Sequence, residues 1–267
     1  MNARVLVTFV FLVAVCKGLC AGTEPTTLIT NGFAHNDYEH KRPLLDALDL
    51  GFCAVEADIY LIDGQLLVGH DIADVKPDRT LTSLYLEPLA KRVRKYGKVY
   101  PNGPEVLLLI DVKSEAEATY QQLKKVLTNY SDMLTTFTAN GIRTNAVTIV
   151  ISGNRPIELA SRESSRLAAI DGRVSDVDSN QSLPLIPLVS DIWTKFSRWN
   201  GKGQMPEAER SRIAEFVRRA HEQKRKVRLW AAPDTAESWK LQQTLGIDLI
   251  NTDKLAEFAK YAATPQK

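Results

Sequence analysis

Sulfur and imidazole are both scarce in this chain, which holds 3 cysteines and 4 histidines among 267 residues. Cys16 and Cys20 fall inside the first 22 residues. Removal of that segment would leave Cys53 as the sole thiol and would exclude an internal disulfide framework. Cys53 itself sits in the apolar run Gly51-Phe52-Cys53-Ala54-Val55 and reads as a small buried hydrophobe. No block of like charge is present: the formal net charge is +2 and the positive residues are dispersed, so nucleic acid is not an expected partner. Low-complexity tracts, Pro/Ser-rich linkers and internal repeats are also missing. No apolar run reaches the roughly 20 residues needed to cross a bilayer. The Val5–Cys16 stretch, preceded by Arg4 and followed by Ala21-Gly22, reads instead as a secretory signal peptide over residues 1–22. A secreted or periplasmic location is therefore expected, with lipid attachment at Cys16 or Cys20 and an uncleaved anchor as the alternatives.

What is there is a repeated alternation. Short, nearly continuous apolar runs predict strands over Leu28–Ala34, Phe52–Ile59, Val106–Val112, Val147–Ser152, Leu167–Ile170, Leu185–Val189, Lys226–Trp230 and Asp248–Asn251. Between them, apolar residues recurring every three or four predict helices over Pro43–Leu50, Leu81–Tyr96, Glu115–Tyr130, Pro156–Arg166, Pro206–Gln223, Ala236–Leu245 and Lys254–Ala262. Strands that are hydrophobic throughout and separated by helices form parallel sheets covered on both faces. Eight of them in one domain, residues 23–267, predict a single (β/α)8 TIM barrel of the α/β class. A doubly wound open sheet is the alternative, weakened because no Gly-rich phosphate fingerprint follows the first strand.

A barrel places its chemistry at the C-terminal strand ends, and the unusual polar residues cluster there. The first strand runs into His35-Asn36-Asp37. The second carries Glu56 and Asp58, two apart and therefore on one face. An Asp63-Gly64 turn then leads through LLVGHD to His70-Asp71. The third strand ends in LLLIDVK, with Asp111 and Lys113. Carboxylates converging in a barrel mouth repel one another unless a cation sits between them. Glu56, Asp58 and Asp111, with no sulfur ligand, suit a divalent cation, Mg2+ or Ca2+. Glu56-x-Asp58 alone also fits a solvated strand end, and Asp111 with Lys113 a structural ion pair. His35 and His70 suit a general acid and base near neutrality, with metal ligation or a structural hydrogen bond as the other readings. His40 and His221 read as structural.

Taken together, AHNDYEHKRPLLDALDLGFCAVEADIYLIDGQLLVGHD resembles the first third of the glycerophosphodiester phosphodiesterase and phosphatidylinositol phospholipase C superfamily. The His-Asn-Asp-Tyr variant, with LLLIDVK and VISGN, is similar to the branch that contains the altered inheritance of mitochondria proteins. The likeness runs from about Asn31 to Leu255 and includes LINTDKL at the eighth strand. It implies a phosphodiester-cleaving barrel in which His35 and His70 match the acid/base pair and Glu56 and Asp58 the metal ligands. By the same resemblance Asp111 stands where a Glu ligand is common, Lys113 matches a phosphate-contacting Lys, and Trp230 matches an aromatic at the pocket wall. Asn36 and Asn154, the latter in VISGN, are expected to bind substrate. Two departures stand out: Asn36-Asp37 replaces the Arg-Gly that usually follows the first His, and Asp replaces Glu at position 111. An amide cannot reproduce the donor fork of a guanidinium, so phosphate binding is expected to lean on the cation and Lys113.

The leading expectation is a metal-dependent phosphoric diester hydrolase acting on a small-molecule or lipid-derived phosphodiester. A non-catalytic secreted binding module for a phosphorylated or sugar ligand is the competing class, and it leaves the two histidines without a task. A sugar hydrolase using Asp58 and Asp111 has the same defect. Membrane contact and oligomeric state are open at this level. Asp191, in LVSDIW, is a loop cap or a substrate contact, and the segment 195–206 with Phe196 and Trp199 is a packed loop, a lid or an interfacial patch.

Overall fold

The computed structural model describes residues 27–264. Its eight barrel strands are β1 (Gly32–Ala34), β2 (Ala54–Ile62), β3 (Val106–Val112), β4 (Val147–Gly153), β5 (Ala168–Gly172), β6 (Leu188–Ile192), β7 (Lys226–Trp230) and β8 (Leu249–Thr252). Each pairs in parallel with the next. β8 returns to β1 with Gly32 opposite Ile250, so the sheet closes on itself and the expected (β/α)8 barrel is what forms. The helices α1 (Leu45–Asp49), α2 (Glu87–Tyr96), α3 (Ala116–Thr128), α4 (Ile157–Ser161), α5 (Glu207–Glu222) and α6 (Ala236–Thr244) lie between strands in the chain, and α7 (Leu255–Ala263) follows β8. None among the described residues is long and apolar enough to cross a membrane.

Strand hydrophobicity is continuous because both faces are buried. On β3, Leu108 and Ile110 join the outer core with Leu123 and Leu127 of α3. Leu107 and Leu109 point the other way and fill the barrel interior with Phe33, Ala54, Val150, Ala169, Leu188 and Leu249. Full burial of one such side chain is worth about 1.5–3 kcal/mol. Toward the C-terminal ends the interior turns polar. Glu56, Asp58, Ser152, Asp171, Ser190, Arg228 and Asn251 are all buried there. Register aligns them, since Asp58 stands opposite Asp111 and Asp111 opposite Ser152.

Several element bounds differ from the pattern-based expectation. β6 begins at Leu188 rather than Leu185, because Pro187 has no N–H to give a ladder. That shift carries Asp191 from a loop into the strand, where its carboxylate accepts from Val174 N–H and pairs with Lys195. α4 stops at Ser161, and the residues expected to continue it supply Ser165–Arg166 to a small sheet with Thr136–Thr138 and Gly141–Arg143. β2 runs on to Ile62 and pairs antiparallel with Gln65–Val68. Asp63 and Gly64 turn the chain there with φ of 48° and 76°, the positive pair that a two-residue hairpin requires. In segment 195–206, Phe196 packs on Phe216 and Trp199 on Trp193, so it is a packed loop. The signal peptide and the boundary at residue 23 lie outside the described residues.

One buried acid fixes the loop that leaves β1. Asn36 takes the left-handed conformation, φ 49°, and starts a single turn over Asp37–Glu39. Asp37 is fully buried, and its Oδ2 accepts from Leu44 N–H at 2.5 Å and Tyr85 OH at 2.9 Å. Burial pushes its pKa up to about 6 despite those two hydrogen bonds. A raised acid stabilises the fold below its unfolded pKa and loses that contribution as pH rises through the folded value. In Asp37→Asn the pH-dependent cost disappears, so its stability relative to wild type should rise by up to about 3 kcal/mol between pH 4 and pH 7. Urea unfolding across that range measures it; parallel curves for the two proteins would show that Asp37 does not titrate as described.

Candidate active site

The polar mouth of the barrel encloses a cavity of about 400 Å³. His35, Asn36, Glu56, Asp58, His70, Asp111, Lys113 and Trp230 all line it, together with Ser152, Arg173, Arg228 and Ala231. β2 and β3 thus bring the three predicted carboxylates to one place. One oxygen from each of Glu56, Asp58 and Asp111 lies within 4.8 Å of the others, a cluster that could hold a metal ion. Asp58 is only 2 % exposed, and its pKa is raised to about 6, first by burial and then by the charges of Glu56 and Asp111. Lys113 answers that repulsion with contacts of 3.0 Å to Asp58 and 2.9 Å to Asp111. Burial alone would lower the Lys113 pKa, but the two carboxylates outweigh it and hold the ammonium above its ordinary value. Asp58 Oδ1 and Asp111 Oδ1 are buried without a hydrogen-bond partner. Two orphaned oxygens in an all-carboxylate donor set fit a hard cation.

Each imidazole approaches a different carboxylate of this cluster. His35 Nδ1 meets Asp253 Oδ1 at 2.8 Å, and its Nε2 is 3.6 Å from Glu56 Oε2. Burial would lower the His35 pKa, yet the hydrogen bond to Asp253 and the charge of Glu56 outweigh it and the net shift is upward. His70 Nδ1 lies 3.3 Å from Asp58 Oδ2 and 3.0 Å from Tyr38 OH. Tyr38 OH also reaches Asn36 Oδ1 at 2.7 Å and Asp58 Oδ2 at 2.8 Å. Burial and the Asp58 charge raise its pKa, so the phenol stays protonated and ties the β1 loop to β2 and His70. Asn36 faces the cavity as expected, and its backbone N–H donates to Glu56 Oε2 at 3.1 Å.

Four residues at this site were not anticipated as part of it. Asp253 follows β8 and orients His35. Tyr38, in the loop after β1, is 3 % exposed and reaches both His70 and Asp58. Arg228 on β7 donates to Glu56 Oε1 at 3.2 Å and to Asn251 Oδ1 at 2.7 Å, with its guanidinium 4.2 Å over the Phe33 ring. Arg173, just past β5, is the fourth. The guanidinium absent after His35 is therefore matched by two that arrive from other strands. Asn154 differs in the other direction. It does not line the cavity: its amide donates to the carbonyls of Lys113 and Ser114 at 3.2 and 2.8 Å and braces the loop after β3.

Comparison with known proteins settles kinship. The family model for the AIM6-like phosphodiesterase domain matches residues 26–170, more than half of the chain. The chain belongs to the AIM6-like phosphodiesterase family. The altered inheritance of mitochondria protein 6 of Eremothecium gossypii is 30% identical over 281 residues, covering 90% of this chain and 71% of that protein. Its counterpart in Kluyveromyces lactis is 28% identical over 309 residues, covering 90% and 74%. A glycerophosphodiester phosphodiesterase from Agrobacterium tumefaciens shares the fold, with a TM-score of 0.50 at 13% identity over 88% of this chain and 100% of that one. The resemblance drawn from the His-Asn-Asp-Tyr, Glu-x-Asp and LLLIDVK motifs is borne out. The secreted or periplasmic location is corrected: the relatives are named for inheritance of mitochondria, which points to cellular proteins, and the N-terminal segment behind that expectation lies outside the described residues.

In this AIM6-like barrel the position of Asp111 depends on a missing side chain. Gly153, at the end of β4 with φ 69°, leaves room in which a Cβ would stand 1.9 Å from Asp111 Oδ1 and 2.4 Å from Val112 O. Gly153→Ala should cost about 2–4 kcal/mol through left-handed strain plus overpacking. It should also displace the Asp111 carboxylate. Chemical unfolding measures the first effect, and a change below about 0.5 kcal/mol would show that the carboxylate swings aside freely.

Proposed function

We propose that this AIM6-like chain hydrolyses a small-molecule or lipid-derived phosphodiester, with His35 and His70 as its acid/base pair and a divalent cation, Mg2+ or Ca2+, held by Glu56, Asp58 and Asp111. The observation that carries this reading is the approach of two imidazoles to different members of one carboxylate cluster with orphaned oxygens. A cation held there supplies Lewis-acid stabilisation of the charge that develops on the phosphoryl oxygens.

The remaining work falls to the side chains. Asp253 accepts the Nδ1–H of His35, which leaves Nε2 toward the cavity to take or return a proton. His70 is tethered through Nδ1 to Tyr38 and Asp58, so its Nε2 is likewise the working nitrogen. One imidazole deprotonates the attacking oxygen, from water or from a substrate hydroxyl, and the other protonates the leaving oxygen. Lys113 supplies an ammonium beside the carboxylates from which it can also donate to the phosphate. Arg228, buried and bonded to Glu56, positions that carboxylate. Half-buried Trp230 forms part of the wall against which a substrate arm packs. A binding module has no use for two imidazoles each oriented by a dedicated partner, which favours turnover over retention.

Hydrolysis of bis(p-nitrophenyl) phosphate with added Mg2+ or Ca2+ tests the reading. His35→Ala and Glu56→Gln should each lower kcat by about 10²–10⁴-fold, and chelator should abolish the metal-dependent rate. Equal rates in wild type and both variants after removal of contaminants would sink the proposal. Asp253→Asn removes a support that raises the His35 pKa, so the limb of the pH–rate profile governed by His35 should move to lower pH. An unmoved limb would assign that ionisation to another group.

A further inference from the structure

Along the cavity wall from Asp111, the ends of β4 and β5 carry a side-chain cluster that the chemistry above does not use. Ser152 stands beside Asp111 in register and donates through Oγ to Asp171 Oδ2 at 2.9 Å. Asp171 is fully buried, and its Oδ1 has no partner. Arg173 donates through Nη1 to Asp171 Oδ2 at 2.9 Å and to the Gly172 carbonyl at 3.0 Å, and through Nη2 to Ser152 Oγ at 3.2 Å. Ser152 and Arg173 line the cavity, whereas Asp171 lies behind them.

The cations of this cavity are not equivalent. Lys113 bonds both Asp58 and Asp111, which leaves one ammonium N–H for the reacting phosphate. Arg228 is committed to Glu56 and Asn251 and is almost wholly buried. Arg173 is the more accessible guanidinium, with 23% of its side chain exposed, and its Nε–H and second Nη2–H make no hydrogen bond among the described residues. Asp171 and Ser152 fix its plane from behind, so little further ordering is needed when an acceptor arrives. Two adjacent guanidinium donors match the paired oxygens of a carboxylate or a phosphate.

We infer that Arg173, braced by Asp171 and Ser152, receives a second anionic group carried on one arm of the phosphodiester. The inference rests on the phosphodiesterase reading of the same cavity. It names a substrate class: a diester with a carboxylate or phosphate separated from its reacting phosphorus by a short chain. Two strand spacings, roughly 10 Å of backbone, separate β3 from β5, and the Arg173 guanidinium reaches back as far as Ser152 on the strand between them, beside the carboxylate cluster but without a contact to it.

The test uses p-nitrophenyl alkyl phosphodiesters whose alkyl arm ends in a carboxylate, a phosphate monoester or a methyl ester. Each anionic arm is scored against the methyl ester as a ratio of kcat/KM, so that a general loss of activity cancels. The preferred anion should lead by about tenfold in wild type, chiefly through KM. The ratio should fall to about one in Arg173→Met and be partly kept in Arg173→Lys. Because Arg173→Met strands a buried carboxylate, Arg173→Met combined with Asp171→Asn serves if the single variant fails to fold. Non-hydrolysable phosphonate counterparts, titrated by calorimetry, should show the same ratio in Kd. A ratio near one in wild type by both readouts, or a ratio that survives in the double variant, overturns the inference and leaves the hydrolase reading standing. Discrimination among phosphonates without turnover of any diester supports the role of Arg173 and removes the hydrolase reading. Neither turnover nor discrimination removes both.

Discussion

Two carboxylates on one face of a buried strand repel each other, and almost everything else in the mouth of this barrel answers that repulsion. Glu56 and Asp58 are nearly inaccessible to water, and Asp111 approaches from the next strand. Lys113 bridges Asp58 and Asp111, Arg228 takes one oxygen of Glu56, and the backbone of Asn36 takes the other. The compensation is incomplete. Two oxygens have no partner, and the Asp58 pKa remains raised. A pocket that keeps negative charge in low dielectric and leaves lone pairs free gives up stability and could hold a cation.

The same charges organise the groups around them. His35 gains its orientation from Asp253 on one side and an upward pKa shift from Asp253 and Glu56 together. His70, more than half exposed, is held by the Tyr38 hydroxyl and Asp58. Tyr38 is in turn set by the loop whose fold Asp37 secures from below through Leu44 and Tyr85. A hydrophobic floor of Leu107, Leu109, Val150 and their neighbours gives this polar layer a rigid support and keeps water from the other end of the barrel.

Much of this was legible in the chain. Strands were found because parallel barrel strands are apolar on both faces, while their bounds shifted by up to four residues: β1 starts at Gly32 rather than Leu28, and β6 starts at Leu188 where Pro187 delays the ladder. Asp111, Lys113, His35 and His70 were legible because each ends or follows a strand-like run, and Glu56 and Asp58 because carboxylates two apart share one face of a strand; a barrel collects these at one mouth. Asp253 carried the same signal after β8 and could have been found by it. Arg228 could not: a lone Arg inside VRLWA has no periodicity that separates an inward residue from a solvated one. Asn154 erred in the opposite sense, because a loop amide one residue from the barrel satisfies nearby carbonyls before it reaches a ligand.

Local pattern thus determined the order of strands and helices, the closed-barrel class and the residues able to carry charge at one end of it, since burial and periodicity leave their mark residue by residue. Only the tertiary structure decided which of those charges meet. That Arg228 and Arg173 face the cavity from the far strands, that Gly153 makes room for Asp111, and that Tyr38 is drawn out of water onto His70 are consequences of closing the sheet. Closure sets side by side residues separated by as much as 218 positions in the chain, as for His35 and Asp253, and no local spacing encodes such a contact.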